Sequence, residues 1–301
     1  MIVSRLFHLI LVIWCAFSDG YDLSERKQPQ GRLGITLDYG LARNWPPSID
    51  DRGADTQRNW FYSSHLTFKE PVSTITDGQL WQMVRDALDE IPAVLTQYGI
   101  SKNKGGSNVM TVLAFGNEII LASSKKSVDS FTYEFGDGNT PSCQGSSALP
   151  DNELPIHKNQ GHCGEPMAAH LYYASHTTPL AEQNARVATI VYKSRAPPCG
   201  TGKTDYWGCN LFVEQMKMRV VDLDIGKTPN ESYDLSTLAG GKSEDRPDPS
   251  MFYAHCKLDI ERLICGCVEP FDYGQVAQTG EDKYQKFSKP SNSISSSGTP
   301  A

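Results

Sequence analysis

Apolar residues recur every three or four positions between Asp77 and Gly99, and this spacing predicts an amphipathic helix. Thr76 or Asp77 can cap the start of the helix, and Gly99 can end it. Pro92 lies inside the run and predicts a kink or an early end, because proline lacks the backbone N–H that each helical turn uses.

Strand patterns precede and follow this helix. Two apolar runs, Val109 to Phe115 and Glu118 to Ala122, flank Gly116-Asn117 and predict a β-hairpin with a tight turn. The stretch "ARVATIVYKS" is rich in β-branched residues and predicts a buried strand. "NWFYSSHLTF" alternates like a strand, and "RVVDLDIG" predicts another.

Three further stretches predict helices: Pro166 to about Ser175, "NLFVEQMKM" and "SMFYAHCKLDIERLICGCVEP". Up to the last of these, the elements follow the order helix, strand, strand, helix, strand, helix, strand. This alternation predicts an α/β protein built as a three-layer α/β/α domain, with helices on both faces of one sheet.

Composition divides the chain into successive segments. The sequence predicts a signal peptide at 1–20, an irregular N-terminal extension at 21–70, one domain at 71–272, and a tail at 273–301 that is disordered by composition. Within the domain, 76–226 form the core and 249–272 form a C-terminal helical extension.

The first twenty residues have the order of a secretory signal peptide: Arg5, then an apolar run, then small residues that permit cleavage after Ser18. An uncleaved anchor is the alternative, but the run is short for a membrane span, and no later stretch approaches the roughly 18 apolar residues of one. We therefore expect a secreted protein with no stable membrane association. The sequon at Asn230 predicts N-glycosylation on this route.

Charge and cysteine count narrow the function further. The net charge of −7 argues against binding to long nucleic acid, which usually requires a basic surface. Of eight cysteines, Cys15 leaves with the signal peptide, and the remaining seven cannot all pair with one another. A three-cysteine metal site would explain the odd number, and so would a free thiol.

The motif "CGEP" places candidate chemistry at the start of a predicted helix. Proline favours the first helical position, so Pro166 places Cys163 and Glu165 in the turn that enters the helix, where the helix dipole favours a thiolate. Cys199 follows two prolines, and Cys209 directly precedes the helix "NLFVEQMKM". Two helix starts that meet, carrying three thiolates, would form a zinc site with an open fourth position.

This pattern resembles the zinc-dependent nucleobase (cytidine) deaminases. Their signature is His or Cys, one residue, Glu, and later Pro-Cys-x-x-Cys, each part opening a helix. "CGE" at Cys163–Glu165 and "PC" at Pro198-Cys199 match this signature, and secreted or toxin-type members with Cys-x-Glu are the most similar. The resemblance covers Thr76 to Gly226. It departs from the signature where nine residues, not two, separate Cys199 from Cys209.

The resemblance implies a cytidine-deaminase-like fold and a hydrolytic deaminase. Cys163, Cys199 and Cys209 would hold Zn²⁺, and Glu165 would shuttle the proton of the zinc-bound water that attacks the amine-bearing carbon. The substrate would be a nucleobase, a nucleoside or a short single-stranded nucleic acid. The residues that would line its pocket are His162, Tyr206 and Trp207. The cysteines that would remain for disulfides are Cys143, Cys256, Cys265 and Cys267.

Two other interpretations stay open at the level of sequence. Cys163 can be half of a structural disulfide, and Cys199 can pair with Cys209 across a loop, which would make the protein a non-enzymatic, disulfide-stapled secreted effector or surface protein. The fold can also bind zinc without turnover. The sequence carries no signal for a particular base or an oligomeric state.

Overall fold

The computed structural model describes residues 21–44, 58–126, 159, 161–201, 208–244, 247 and 249. Several sequence predictions concern residues outside this set: the signal peptide, the pocket residues Tyr206 and Trp207, the C-terminal helix and tail, and the disulfide candidates Cys143, Cys256, Cys265 and Cys267.

Seven strands of the described residues form one sheet. They are β1 Thr36–Leu37, β2 Tyr62–Thr67, β3 Val109–Phe115, β4 Glu118–Ser123, β5 Arg186–Val191, β6 Ser194–Ala196 and β7 Arg219–Val220. The strand order is β1-β2-β4-β3-β5-β6, and β7 also pairs with β5. All pairs are antiparallel except β5 with β7, which is parallel.

Helices complete a mixed α/β structure, so the predicted class is confirmed. They are α1 Tyr39–Asn44, α2 Asp77–Tyr98, the single turn α3 Lys102–Gly105, α4 Gly164–Ser175 and α5 Cys209–Gln215. None of the helices in the described ranges combines the length and the apolar character that crossing a membrane requires.

Helix α2 begins and ends where the sequence predicts. Thr76 and Gln79 form a capping box, in which each side chain accepts a hydrogen bond from the backbone N–H of the other residue. Gly99 ends the helix in the left-handed conformation. The early end that Pro92 suggested does not occur, because the helix continues to Tyr98 with its apolar face buried in the core.

Residues 21–44 and 58–70 belong to the same sheet and core as the rest of the described chain. The sequence predicts an irregular extension here, yet β2 pairs with β4 from Ser63 to Thr67, and β1 pairs with β2. Ser63 and Ser64 are fully buried in β2. The alternation of "NWFYSSHLTF" predicts a strand here, but its pairing with β4, which is distant in sequence, depends on the folded chain.

The two longest helices pack against opposite faces of the sheet. Met110 and Val112 of β3 share a core cluster with the apolar face of α2. Leu113 and Phe115, which alternate with them, share a second cluster with α4. Because α4 begins beside β3 and β5, its first residues lie over buried strand positions.

A partly buried cluster of one glutamate and two histidines attaches the far end of α4 to the sheet. Glu118 of β4 accepts hydrogen bonds from His65 and from His176, the latter at 3.1 Å. Burial opposes ionisation of the Glu118 carboxyl, but the two imidazoles outweigh burial and lower its pKa to about 2. The hydrogen bond to Glu118 raises the pKa of His176, which follows the last residue of α4.

The stability that this cluster adds is expected to depend on pH in both directions. It is lost as pH falls from 4.5, the ordinary pKa of Glu118, through about 2, and also as pH rises from 6.5 through the raised pKa of His176. Urea unfolding of the wild type and of Glu118→Gln should therefore differ most between these limits. A difference that stays constant from acid to alkaline pH would contradict this assignment.

Candidate metal centre

Three cysteines that are distant in sequence lie together at the start of α4. The sulfurs of Cys163, Cys199 and Cys209 all lie within 4.8 Å of one another, and those of Cys163 and Cys199 are 3.6 Å apart. All three are free thiols, since a disulfide requires about 2.05 Å between sulfurs. The structure thus brings together the three residues that the sequence predicts as metal ligands.

Cys163 holds its position as the N-cap of α4. The helix begins at Gly164, so the predicted start at Pro166 is wrong by two residues. Proline is compatible with this place because the first turn of a helix has no internal partner for its N–H groups. A Cβ atom on Gly164 would lie 2.2 Å from the Thr111 hydroxyl oxygen, so only glycine allows the helix to approach β3 this closely.

The long separation between Cys199 and Cys209 does not keep their thiols apart. The backbone N–H of Asn210 donates to the Cys199 carbonyl over 3.0 Å, which closes the loop at its base. A Cβ atom on Gly208 would lie 2.3 Å from that carbonyl oxygen. Because the two ends of the loop meet, Cys199 and Cys209 lie close together despite the nine residues between them.

Two of the sulfurs accept hydrogen bonds from N–H groups. The Asn159 side-chain amide donates to Cys163 Sγ over 3.1 Å, and the backbone N–H of Cys209 donates to Cys199 Sγ over 3.2 Å. Such donors favour the thiolate form and orient it, as the outer hydrogen bonds of metal sites do.

Two of the three thiols have raised pKa values. Hydrogen bonding to Cys199, together with burial and the charge of Glu165, raises the pKa of Cys163. Hydrogen bonds to both other thiols and burial raise the pKa of Cys209. Three thiolates and a carboxylate in one buried place repel each other, and a divalent cation would offset that repulsion.

Glu165 is the buried carboxyl beside the cluster. It is 4% exposed, and burial raises its pKa. Its Oε1 accepts a hydrogen bond of 2.9 Å from the Thr189 hydroxyl, and Thr189 is in turn 2.8 Å from the hydroxyl of Thr111. The sequence did not indicate either threonine, because a threonine inside a β-branched strand is an ordinary strand residue.

The other predicted site residues that the structure describes are His162 and Asn230. His162 directly precedes Cys163, is half-buried, and accepts the Lys125 backbone N–H at its carbonyl over 3.0 Å. Asn230 is also half-buried: its Oδ1 accepts from Arg195, and its Nδ2 donates to Gln82 over 3.2 Å. Its glycosylation stays a prediction.

The donor set fits a zinc ion. Thiolates that bind zinc tetrahedrally at about 2.3 Å lie about 3.8 Å from each other. The 3.6 Å between Cys163 and Cys199 is close to that separation, and the Cys209 sulfur lies within 4.8 Å of both. Among the described residues the cluster supplies three ligands, one fewer than the four of a tetrahedral zinc ion.

Gly208→Ala is expected to weaken zinc binding by roughly 10- to 100-fold, the scale of a disturbed ligand orientation. The added methyl would meet the Cys199 carbonyl and push the two ends of the loop apart. Zinc affinity, measured by competition with a chromophoric chelator, tests this. Gly226→Ala is the matched control because the nearest atom to its Cβ is 3.2 Å away, in the exposed Asp224 side chain. Equal affinities for both variants would contradict the close approach at Gly208.

No protein-family model matches the chain, and no significant match is found among curated proteins or solved structures.

Proposed function

We propose that this protein is a zinc-dependent hydrolytic deaminase with a three-layer α/β/α, cytidine-deaminase-like fold, and that it acts on a nucleobase, a nucleoside or a short single-stranded nucleic acid. The convergence of Cys163, Cys199 and Cys209 on the buried carboxyl of Glu165 carries this proposal. A framework of structural disulfides would leave neither three free thiols nor a buried glutamate beside them.

The topology around the site supports the proposed fold. The order of α2, the β3–β4 hairpin, α4 with the first cysteine, β5, and α5 with the third is the order that the resemblance implies. Helices α2 and α4 pack on opposite faces of the sheet. Strand β7 runs parallel to β5 after α5, as a strand–helix–strand unit requires.

The three thiolates would hold the zinc ion, which when bound supplies Lewis acidity and makes water nucleophilic near neutral pH. Glu165 would then act twice. Its carboxylate accepts a proton from the attacking water, and its carboxylic acid returns that proton to the exocyclic amine. The second proton of the attacking water ends on the adjacent ring nitrogen, the carbon–nitrogen bond breaks, ammonia leaves, and a carbonyl replaces the amine.

Burial of Glu165 suits this double role. A carboxyl with an ordinary pKa is almost entirely ionised at neutral pH and so has no proton to donate. Burial raises the pKa of Glu165 and makes the protonated form accessible. Zinc at the neighbouring sulfurs would favour the ionised form, so each form would be available at its own step. An exposed carboxylate would lack this balance.

Ammonia release from defined probes tests the proposal. The full chain, loaded with one equivalent of zinc, is incubated with cytosine, adenine, guanine, their nucleosides, and short single-stranded DNA and RNA of mixed sequence. We expect ammonia from one class of probe and none from the Glu165→Gln variant. Zinc binding without ammonia from any probe would support a zinc protein without turnover. No zinc, with Cys163 oxidised, would support the disulfide-stapled effector.

Secretion forms part of the proposal and has a separate test. When the gene is expressed in a secreting host, the mature protein should begin after Ser18 and carry a glycan on Asn230. Intact mass before and after glycosidase treatment measures both. A protein retained in the cell with its first residues intact would contradict the secretory assignment.

A further inference from the structure

Two buried threonines form a hydrogen-bonded chain that ends on Glu165. Thr111 of β3 and Thr189 of β5 are direct cross-strand partners in the antiparallel pair. Their hydroxyl oxygens are 2.8 Å apart, and the Thr189 hydroxyl lies 2.9 Å from Glu165 Oε1. Thr111 is fully buried and Thr189 is 7% exposed, so water has little access to compete for these bonds.

The number of hydrogens in the chain determines the direction of each bond. An ionised carboxylate only accepts hydrogen bonds, and each hydroxyl has one hydrogen to donate. The Thr189 hydrogen therefore points to Glu165 Oε1, and the Thr111 hydrogen points to the Thr189 oxygen. Thr111 thus donates to Thr189, and Thr189 donates to Glu165. This is the only arrangement of the two hydroxyl hydrogens that satisfies both bonds while the carboxylate is charged.

We propose that Thr189, supported by Thr111, is a positioning residue that fixes the orientation of the Glu165 carboxylate beside the sulfur cluster. This inference rests on the proposed function in so far as that carboxylate handles protons there. Threonine suits the task because its branched Cβ restricts the rotation that would swing the hydroxyl away. Valine has the same shape and would serve equally well if packing were the only requirement.

The position of α4 couples this chain to the ligand cluster. Gly164 lies between Cys163 and Glu165, and its Cα approaches the Thr111 hydroxyl so closely that no side chain fits between them. One threonine pair on the sheet thus supports the backbone that carries both the first thiol and the carboxyl. A rotation of Thr111 would disturb both groups, whereas loss of the Thr189 hydroxyl alone would affect only the carboxyl and leave its hydrogen bonds with the Cys209 thiol and its own backbone N–H.

The hydroxyl protons themselves provide a test that needs no substrate. In the zinc-loaded full chain we expect slowly exchanging hydroxyl resonances from both threonines in NMR spectra. Glu165→Gln should shift the Thr189 resonance, and Thr189→Val should shift that of Thr111. A Thr189 hydroxyl that exchanges rapidly with water, or that is indifferent to Glu165→Gln, would overturn the proposal.

Kinetics of the variants test the role, with cytidine or whichever panel member the wild type deaminates fastest. We expect Thr189→Val to lower kcat by roughly 10- to 100-fold, the cost of a misplaced catalytic group, with KM and zinc content unchanged. Thr189→Ser should restore most of the rate, because it returns the hydroxyl. Thr111→Val should have a smaller effect and is the fallback if Thr189→Val does not fold. Thr36→Val, a buried threonine of β1, is the control.

The two arms separate this inference from the proposed function. Wild-type kcat in Thr189→Val, or a raised KM with unchanged kcat, would overturn the positioning role. If the wild type releases no ammonia from any probe, the proposed function fails, and the hydroxyl spectra alone then decide whether Thr189 orients Glu165.

Discussion

Cys163→Ala, Cys199→Ala and Cys209→Ala are each expected to abolish stoichiometric zinc binding, with a loss of affinity above ~100-fold. Removing a hydrogen-bond partner of a metal ligand costs up to ~100-fold in metal affinity, and removing the ligand itself should cost more. Each substitution leaves two thiolates, which cannot complete the three-ligand set that the geometry provides. The wild type should bind about one ion per chain.

Metal content by mass spectrometry after dialysis, followed by chelator competition, measures this effect. Ser175→Ala is the matched control because it lies at the other end of α4, outside the sulfur cluster. Asn159→Ala removes only the amide that donates to Cys163, so a loss of ~10- to 100-fold is expected. Retention of full zinc affinity by Cys209→Ala would rule out the proposed ligand set.

Glu165→Gln is expected to reduce turnover by roughly 10²- to 10⁴-fold while zinc stays bound, the usual contribution of a general acid–base group. The amide has nearly the shape of the carboxyl, and its oxygen can still accept from Thr189. It cannot take or return a proton near neutral pH. The variant therefore separates proton transfer from the structure of the site.

Initial rates of ammonia release at saturating probe, together with zinc content, measure this prediction. Glu214→Gln on α5 is the control, because Glu214 is exposed and belongs to the helix that carries Cys209. Equal rates in Glu165→Gln and the wild type would show that another group moves the proton. Loss of zinc in Glu165→Gln would show that the carboxyl supports the metal instead.

Local patterns predicted the elements that neighbouring residues determine. The capping box at Thr76 and the left-handed Gly99 define α2 through contacts within one or two turns. The hairpin around Gly116-Asn117 follows from the apolar runs on each side of a tight turn. Pro166 predicts a start of α4 that is two residues too late, because proline is tolerated anywhere in the first turn of a helix.

Patterns also predicted which side chains belong to the candidate site, though not how they meet. The sequence indicates candidate ligands in two motifs, "CGE" before a helix and "PPC" after a strand. Thiols near a helix start are favoured as thiolates, which are the form that binds metal. The nine-residue separation of Cys199 from Cys209 looked unfavourable in the sequence. The hydrogen bond from Asn210 to Cys199 and the close approach at Gly208 remove that difficulty, and both contacts exist only in the folded chain.

The sequence by itself determined helices α2, α4 and α5, the β3–β4 hairpin, the α/β class and the identity of the candidate ligands, because each depends on residues close together along the chain. Only the tertiary structure decided that β1 and β2 join the sheet, that three distant sulfurs lie within 4.8 Å, and that Thr111 and Thr189 lie behind Glu165. These features depend on pairing between strands far apart in sequence, and a one-residue change of register between β3 and β5 would place Thr111 and Thr189 on opposite faces of the sheet.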